Sequence, residues 1–126
     1  MAETNREIVD KVNAAFSENK PEVFLDYCDE NVEWTMVGDR TVAGKAAIRE
    51  FMSSMEGMAP PKFTVDEIIE GGNSIACYGD MTMADENGKD TAYSYCDVYR
   101  FGNGKIKALR SYCIKHKTEG EQTATA

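Results

Sequence analysis

Residues 93–105, YSYCDVYRFGNGK, have the pattern of a β-strand that runs into a tight turn. Aromatic and β-branched residues are typical of strands, and Gly-Asn-Gly is typical of hairpin turns. Because side chains alternate across a strand, the odd positions share one face, which comprises Tyr93, Tyr95, Asp97, Tyr99 and Phe101. A single carboxyl group is therefore predicted on an aromatic face, which either meets water or lines a pocket.

Period-two patterns on both sides of this stretch predict further strands. Strands are expected at about 62–70, 74–84, 91–101 and 105–115, joined by the turns EGGN, DENGKD and GNGK. The apolar face of the second of these strands comprises Ile75, Cys77, Gly79, Met81 and Met83. In the last strand, the pattern does not decide whether Leu109, Ser111 and Cys113 or the alternate residues face inward.

The residues before these strands have helical patterns. Thr4 and Glu7 have the spacing of a capping box, which predicts a first helix over about residues 4–19. Pro21 fits the first turn of a short second helix that ends near Cys28. The segment NVEWTMVG then predicts a short strand, and GKAAIREFMSSM predicts a third helix. Helices followed by strands are typical of an α+β domain whose curled sheet packs on the helices.

Composition narrows the possible partners and cofactors. The chain has 126 residues and a formal net charge of −8, which disfavours binding to nucleic acid or to anionic membrane surfaces. We expect a single domain at residues 1–116 and a disordered polar tail at 117–126. The first residues lack the pattern of a signal peptide, which predicts a cytoplasmic protein. No motif calls for a metal, a nucleotide or a flavin, and the four dispersed cysteines are interpreted as reduced.

Several segments together carry a family resemblance. AAFSENKPEVFLDYCDENVEW, GKAAIREF and YCDVYRFGNGKI resemble the nuclear transport factor 2-like superfamily, which includes SnoaL-like polyketide cyclases and ketosteroid isomerases. The resemblance covers about residues 4–115. It implies a conical α+β barrel, in which a mixed or antiparallel sheet of about five to six strands wraps on three helices around an apolar pocket. It also implies a homodimer through the outer sheet face, where we expect Arg110 and Tyr112.

The resemblance assigns candidate roles one residue at a time. Ketosteroid isomerases use a protonated aspartic acid on the aromatic strand as a hydrogen-bond donor, and this position matches Asp97. Their aspartate base on the first strand aligns with Thr35, which cannot act as a carboxylate base, and their helical tyrosine aligns with Lys11. Glu33 is the nearest substitute for the base. The isomerase reaction therefore lacks its usual second group in this sequence.

Residues with side chains suited to a pocket wall come from all parts of the chain. The predicted pocket residues are Lys11, Phe16, Tyr27, Trp34, Thr35, Phe51, Met52, Met55, Met81, Met83, Tyr93, Tyr95, Tyr99, Leu109 and Cys113. Methionines and aromatic residues line adaptable apolar cavities, but they also fill packed cores. The pattern alone leaves both interpretations open.

Two functions remain at this point. In the first, the protein is an isomerase-, cyclase- or dehydratase-type enzyme for a small apolar carbonyl or polyketide-like compound. Asp97 then acts as acid, base or donor, because an apolar environment raises the pKa of a carboxyl group. In the second, it is a ligand-binding or dimerisation module without catalysis, and Asp97 is a structural residue that neighbouring groups satisfy.

Overall fold

The computed structural model describes residues 3–54, 62–84 and 87–116. Within them lie three helices, α1 (Asn5–Ser17), α2 (Pro21–Asp26) and α3 (Lys45–Ser53). The strands are β1 (Cys28–Met36), β2 (Arg40–Ala43), β3 (Lys62–Phe63), β4 (Glu67–Gly71), β5 (Ser74–Ala84), β6 (Asp90–Gly102) and β7 (Lys105–Lys115). The predicted α+β class is confirmed. Met55 and the predicted tail at 117–126 lie outside the described residues.

Helix α1 begins at the predicted capping box. The backbone N–H of Glu7 donates to Thr4 Oγ1 at 3.1 Å, and the backbone N–H of Thr4 donates to Glu7 Oε1 at 2.8 Å. These two bonds satisfy N–H groups that a helix start leaves without partners. The buried face of α1 carries Ile8, Val9, Val12 and Ala15. None of the described helices is long and apolar enough to span a lipid bilayer.

The strands form one curled mixed sheet in the order β2-β1-β7-β6-β5-β3, and β4 also pairs with β5. Strands β5, β6 and β7 are antiparallel neighbours, as the period-two pattern predicted, and the β6–β7 register has one irregularity between Arg100 and Phe101. The turn between β6 and β7 has positive φ at Asn103 (53°) and Gly104 (76°), as a tight two-residue hairpin turn requires. Strand β1 pairs in parallel with β7. The first and last strands therefore meet in the middle of the sheet.

The strand predicted at 62–70 is interrupted, because β3 and β4 are separate pieces that both pair with β5. At the break the carbonyl of Thr64 lies directly against Gly79, where a Cβ atom would approach the carbonyl oxygen to 2.1 Å. The Tyr95 hydroxyl donates to the same oxygen at 2.5 Å. Glycine at position 79 therefore lets the edge of the sheet bend inward over β5.

Strand β2 was not predicted. The chain turns after β1 with φ of +87° at Gly38, and the N–H of Asp39 donates to the carbonyl of Met36 at 2.9 Å. Strand β2 then pairs antiparallel with β1. Gly-Asp is a hairpin-turn signal, and the segment RTVA after it is short and only half apolar. The signal for this strand was present at the turn and weak in the strand itself.

The helices cover one face of the sheet, which we call the inner face. The main core lies there and comprises Ile8, Val9, Val12, Phe24, Leu25, Cys28, Val32, Ile48, Ile75, Cys77, Tyr95, Tyr99, Phe101, Ile106 and Leu109. The predicted aromatic face of β6 supplies Tyr95, Tyr99 and Phe101 to this core. The opposite, outer face carries exposed apolar side chains, among them Tyr78, Tyr112 and Ile114.

Candidate functional site

A cavity of about 980 Å³ lies between the helices and the inner face of the sheet. Its wall contains Asp97 and nine of the apolar or sulfur-containing side chains predicted for a pocket. These nine are Phe16, Trp34, Phe51, Met52, Met81, Met83, Tyr95, Leu109 and Cys113. The sequence therefore located most of the wall, and contact of these residues with a ligand stays a prediction.

Two predicted pocket residues near the N-terminus lie away from this wall. The Lys11 ammonium group is exposed and forms an ion pair with the Glu3 carboxylate. The Tyr27 hydroxyl donates to the same carboxylate at 2.7 Å. Both side chains therefore hold the segment before α1 instead of lining the cavity.

Strand β1 turns a different face to the cavity than the family alignment implied. Trp34 and Met36 line the cavity, so the alternation of the strand turns Thr35 outward. There, the hydroxyl oxygens of Thr35 and Thr41 lie 3.0 Å apart. Glu33, the proposed substitute base, is also exposed. Neither Thr35 nor Glu33 therefore belongs to the described cavity wall, because successive side chains of a strand point to opposite faces.

Two tyrosines of β6 were also placed in the pocket, and neither is part of the described wall. Tyr99 is fully buried in the core, and its hydroxyl has no hydrogen-bond partner among the described residues. Tyr93 is half-buried and pairs with Met81 and Lys115 on the adjacent strands. Alternation predicted their face correctly, but the depth of a residue along the cone is a tertiary property.

Sequence reasoning missed several cavity residues. The most relevant for chemistry are Asn13 and Ser111, and Met36 and Phe63 add apolar surface. Asn13 precedes the predicted wall residue Phe16 by three positions, so helical spacing placed both on one side of α1. Ser111 lies between Leu109 and Cys113 in the alternation of β7. Both signals were available, but each depended on knowing which face turns inward.

Asp97 lies in the middle of β6, in register with Cys77 on β5 and Ser111 on β7. Most of the side chain is enclosed by protein, and the rest meets the cavity. Burial raises the pKa of the Asp97 carboxyl from 3.8 to about 6, and a hydrogen bond from the Ser111 side chain opposes this rise. The group can therefore gain or lose a proton close to neutral pH.

Trp34 is held by both packing and a hydrogen bond. Its ring meets Phe24 and Phe51 edge to face, with centroid distances of 5.8 Å in each case. The indole N–H donates to Ser111 Oγ at 2.9 Å. Such edge-to-face contacts restrict the ring, so the N–H direction is set before any ligand enters.

Helix α1 contributes the amide of Asn13 to the cavity wall. Its Nδ2 lies 4.0 Å from the Cys77 sulfur, which is a weak acceptor. Burial raises the pKa of the Cys77 thiol to about 12, so this sulfur is neutral at physiological pH. Since Cys77 is the direct cross-strand neighbour of Asp97, the Asn13 amide lies above the strand position beside the carboxyl group.

Charged residues lie in another part of the wall, where α2 and α3 meet. The Arg49 guanidinium contacts the Glu22 carboxylate with two N–H groups, at 3.2 and 3.3 Å. The two side chains are exposed, and such surface pairs contribute little to stability. Among the described residues, no group of His, Cys, Asp or Glu side chains is arranged to hold a metal ion.

The sequence profile of the SnoaL-like domain matches residues 9–109. The chain belongs to the SnoaL-like family. A comparison of the sequence with curated proteins finds no match.

Solved structures place this SnoaL-like chain in the NTF2-like superfamily, as its sequence predicted. An NTF2-like protein of unknown function from Cytophaga hutchinsonii is 31% identical, with a TM-score of 0.71 over 86% of this chain and 97% of that chain. A LEH-like epoxide hydrolase from M. tuberculosis is 14% identical, with a TM-score of 0.75 over 85% of this chain and 80% of that chain. A Jannaschia sp. CCS1 protein provisionally named a SnoaL-like polyketide cyclase is 13% identical, with a TM-score of 0.73 over 90% of each chain. At these low identities, the last two show a common fold alone.

Within the SnoaL-like cavity, three different elements each contribute a polar side chain to the wall. These side chains are Asp97 on β6, Ser111 on β7 and Asn13 on α1. The carboxyl can exchange a proton, the hydroxyl can donate to it, and the amide can donate to an oxygen of a bound molecule. These are the functions that proton transfer beside a carbonyl group requires.

Proposed function

We propose that this SnoaL-like protein is an enzyme that transfers protons on a small apolar carbonyl or polyketide-like compound. Asp97 is the proposed catalytic acid and base. The observation that carries the proposal is a carboxyl group in the wall of an apolar cavity, with its pKa raised by burial to about 6. A pKa close to the working pH favours both uptake and release of a proton.

The proposed reaction begins with the ionised carboxylate. At pH 7 a group with this pKa is about nine-tenths ionised. The carboxylate takes the proton from the carbon next to a ketone, and the electron pair of the broken C–H bond forms an enolate. The new carboxylic acid then returns the proton to another carbon, which completes an isomerisation. In a cyclisation the enolate carbon instead attacks a second carbonyl carbon, and the resulting alkoxide takes the proton.

Asn13 is the proposed partner for the enolate oxygen. The amide carries two N–H groups, and its contact with Cys77 is long and weak. It can therefore turn a donor toward a ligand at little cost. Donors aimed at a developing negative charge are a large contribution to catalysis in apolar sites.

The size and lining of the cavity support an apolar compound of more than one ring as the ligand. A volume of about 980 Å³ lies near the upper end of the range of about 300–1,000 Å³ for small-molecule pockets. Most of the wall surface is apolar, and aromatic and methionine side chains contribute to it. Methionine adapts to ligands of irregular shape, which favours a class of related substrates over one rigid molecule.

Deuterium exchange tests this proposal without knowledge of the natural substrate. Cyclic 1,3-diketones and β,γ-unsaturated ketones are incubated with the protein in heavy water, and loss of the α-proton is followed by NMR. We expect Asp97→Asn to slow catalysed exchange by about 10²- to 10⁴-fold. Asp80→Asn is the matched control, because Asp80 is exposed on the adjacent strand. Equal exchange rates in the two variants would exclude Asp97 as the catalytic base.

A second candidate function is ligand binding without catalysis. It is favoured by β1, whose cavity side chains Trp34 and Met36 supply no acid or base where isomerases have one. If this function is correct, native mass spectrometry of the purified protein should detect a retained apolar compound, and none of the ketones should exchange protons. Catalysed exchange that is lost in Asp97→Asn would exclude this alternative.

We also propose that the partner of the chain is a second copy, bound through the outer sheet face, and that the protein works in the cytoplasm. Exposed apolar side chains on β4, β5 and β7 support the dimer, namely Ile69, Tyr78, Tyr112 and Ile114. Light scattering should give twice the chain mass of 14.0 kDa. Ile114→Lys is expected to release monomers, whereas Glu18→Lys, on the helical side, is not. A monomeric wild-type protein at micromolar concentration would contradict the dimer.

A further inference from the structure

The carboxyl group of Asp97 is linked to a tryptophan through one serine. Ser111 is the direct cross-strand neighbour of Asp97, and β7 continues to β1 on its other side. Trp34 lies two residues before Met36, which is the neighbour of Ser111 on β1. Its indole N–H reaches back across the sheet to Ser111 Oγ, at 2.9 Å. Three adjacent strands therefore contribute one residue each to a continuous chain of polar groups.

The chemistry of the hydroxyl group determines the direction of this chain. An indole N–H is a donor only, so Ser111 Oγ must accept from Trp34. A serine hydroxyl has a single proton, which remains available for the other neighbour. Asp97, the direct cross-strand neighbour on β6, is placed to accept this proton, and a hydrogen bond from Ser111 lowers the pKa of the carboxyl group.

No other group on the surrounding strands supplies a positive charge to Asp97. Strand β5 presents Cys77, β6 presents Tyr95 and Tyr99, and β7 presents Cys113. Burial raises the pKa of each of these four groups above its ordinary value, so all of them are neutral at physiological pH.

The helices and the polar part of the wall do not supply a charge to Asp97 either. Helix α1 presents the uncharged amide of Asn13, and α3 presents Phe51 and Met52. Charged residues elsewhere in the wall are Lys20, Glu22, Arg49, Lys62 and Asp90. Among the described residues, only burial and the Ser111 hydrogen bond shift the pKa of Asp97. Ser111 is thus the only described side chain that favours the carboxylate.

We propose that Ser111, oriented by Trp34, is the positioning residue that holds the Asp97 carboxyl group from the adjacent strand. The proposal rests on the role of Asp97 given above, but it describes the protein without substrate. Ser111 determines how much of Asp97 is ionised at neutral pH. Trp34 determines where the serine proton points.

An NMR titration of the full chain, labelled with ¹³C at aspartate carboxyl carbons, tests this arrangement. The Asp97 resonance is identified by its loss in Asp97→Asn, and its midpoint is compared among variants. We expect Ser111→Ala to raise the midpoint by about one pH unit, because the carboxylate loses its donor. Ser111→Thr keeps a hydroxyl and should return the midpoint close to that of the wild type. Trp34→Phe keeps the ring packing and should raise the midpoint by less than Ser111→Ala.

Ser94→Ala is the matched control, because Ser94 also bonds to an aspartate but belongs to the outer face. A shift in Ser111→Ala no larger than in Ser94→Ala would overturn the proposal, as would a downward shift. If Ser111→Ala does not fold, the other two variants test the proposal. The Asp97 midpoint should rise in Trp34→Phe and stay close to the wild-type value in Ser111→Thr, and an unchanged midpoint in Trp34→Phe would contradict the proposal. The titration and the exchange assay fail independently. If Ser111→Ala shifts the Asp97 midpoint but Asp97→Asn leaves exchange unchanged, the positioning role stands and the catalytic role is excluded. If Asp97→Asn slows exchange but Ser111→Ala does not shift the midpoint, the catalytic role stands and the positioning role is excluded.

Discussion

The two faces of the sheet carry the same three kinds of group in different surroundings. On the inner face, the Trp34 ring N–H donates to Ser111, which is the direct cross-strand neighbour of Asp97. On the outer face, His116 Nε2 lies 2.7 Å from Ser94 Oγ, which donates to Asp80 at 3.2 Å.

The difference between the two arrangements is the solvent around them. Asp80 and His116 are exposed and Ser94 is half-buried, so water screens and replaces their hydrogen bonds. The inner carboxyl lies in an apolar cavity, where burial raises its pKa to about 6. The two faces therefore have the same arrangement of ring nitrogen, hydroxyl and carboxyl group. Only on the inner face does burial bring the pKa of the carboxyl group close to neutral pH.

The largest expected effect comes from a substitution that disturbs the packing of the inner face at Gly79. Gly79→Ala places a methyl group against the Thr64 carbonyl, and we expect a loss of about 3 kcal/mol in the free energy of unfolding. Gly71→Ala is the control, since a Cβ there meets no atom within 4 Å. Denaturant unfolding measures both. Similar losses in the two variants would show that the close approach at Gly79 does not constrain the fold.

An intermediate effect concerns the cost of ionising Asp97. Because its pKa is raised in the folded protein, the folded chain binds more protons than the unfolded chain between pH 4 and 6, and stability falls as pH rises through this interval. Asparagine does not titrate. We therefore expect Asp97→Asn to be more stable than the wild type by up to about 3 kcal/mol at pH 7 and equally stable well below pH 4.

Unfolding curves at several pH values measure this difference, and Asp80→Asn supplies the comparison on the outer face. That exposed residue should give no such gain. An Asp97→Asn variant whose stability relative to the wild type is the same at pH 4 and pH 7 would contradict the raised pKa.

The smallest expected effect is the change in stability on removal of either of two tyrosine hydroxyl groups of the inner face. The Tyr95 hydroxyl donates to the Thr64 carbonyl, whereas the buried Tyr99 hydroxyl has no partner among the described residues. Tyr95→Phe should lower the free energy of unfolding by about 1 kcal/mol, and Tyr99→Phe should leave it unchanged or raise it slightly. Thermal or denaturant unfolding measures both. A larger loss in Tyr99→Phe than in Tyr95→Phe would mean that Tyr99 is hydrogen-bonded in solution.

Local sequence signals predicted the elements well where spacing and turn chemistry agreed. The capping box at Thr4 and Glu7, the turn at Asn103 and Gly104, and the strands β5 and β7 are confirmed. Each depends on contacts between residues close in sequence or on the period of two. Strand β2 was missed because a four-residue strand has too little pattern of its own.

The candidate site was predicted less completely than the fold. Nine of the predicted wall residues and Asp97 lie at the cavity, whereas the described wall does not include Lys11, Tyr27, Thr35, Tyr93 or Tyr99. Asn13 and Ser111 were overlooked, although both line the cavity together with Asp97. Asn13 contacts Cys77, which lies 64 positions away, and Ser111 contacts Trp34, which lies 77 positions away. Local spacing assigns each residue to a face of its element, but it does not show that this face turns toward the cavity.

The sequence by itself determined that this is an α+β chain of the NTF2-like superfamily and that Asp97 shares a face with aromatic residues. Alternation decides which side chains share a face, because it depends only on the geometry of one strand. Only the tertiary structure decided which face of β1 and β7 turns inward, since that depends on where the helices pack and how the two strands pair. That choice brings Trp34 and Ser111 to Asp97 and leaves Thr35 outside.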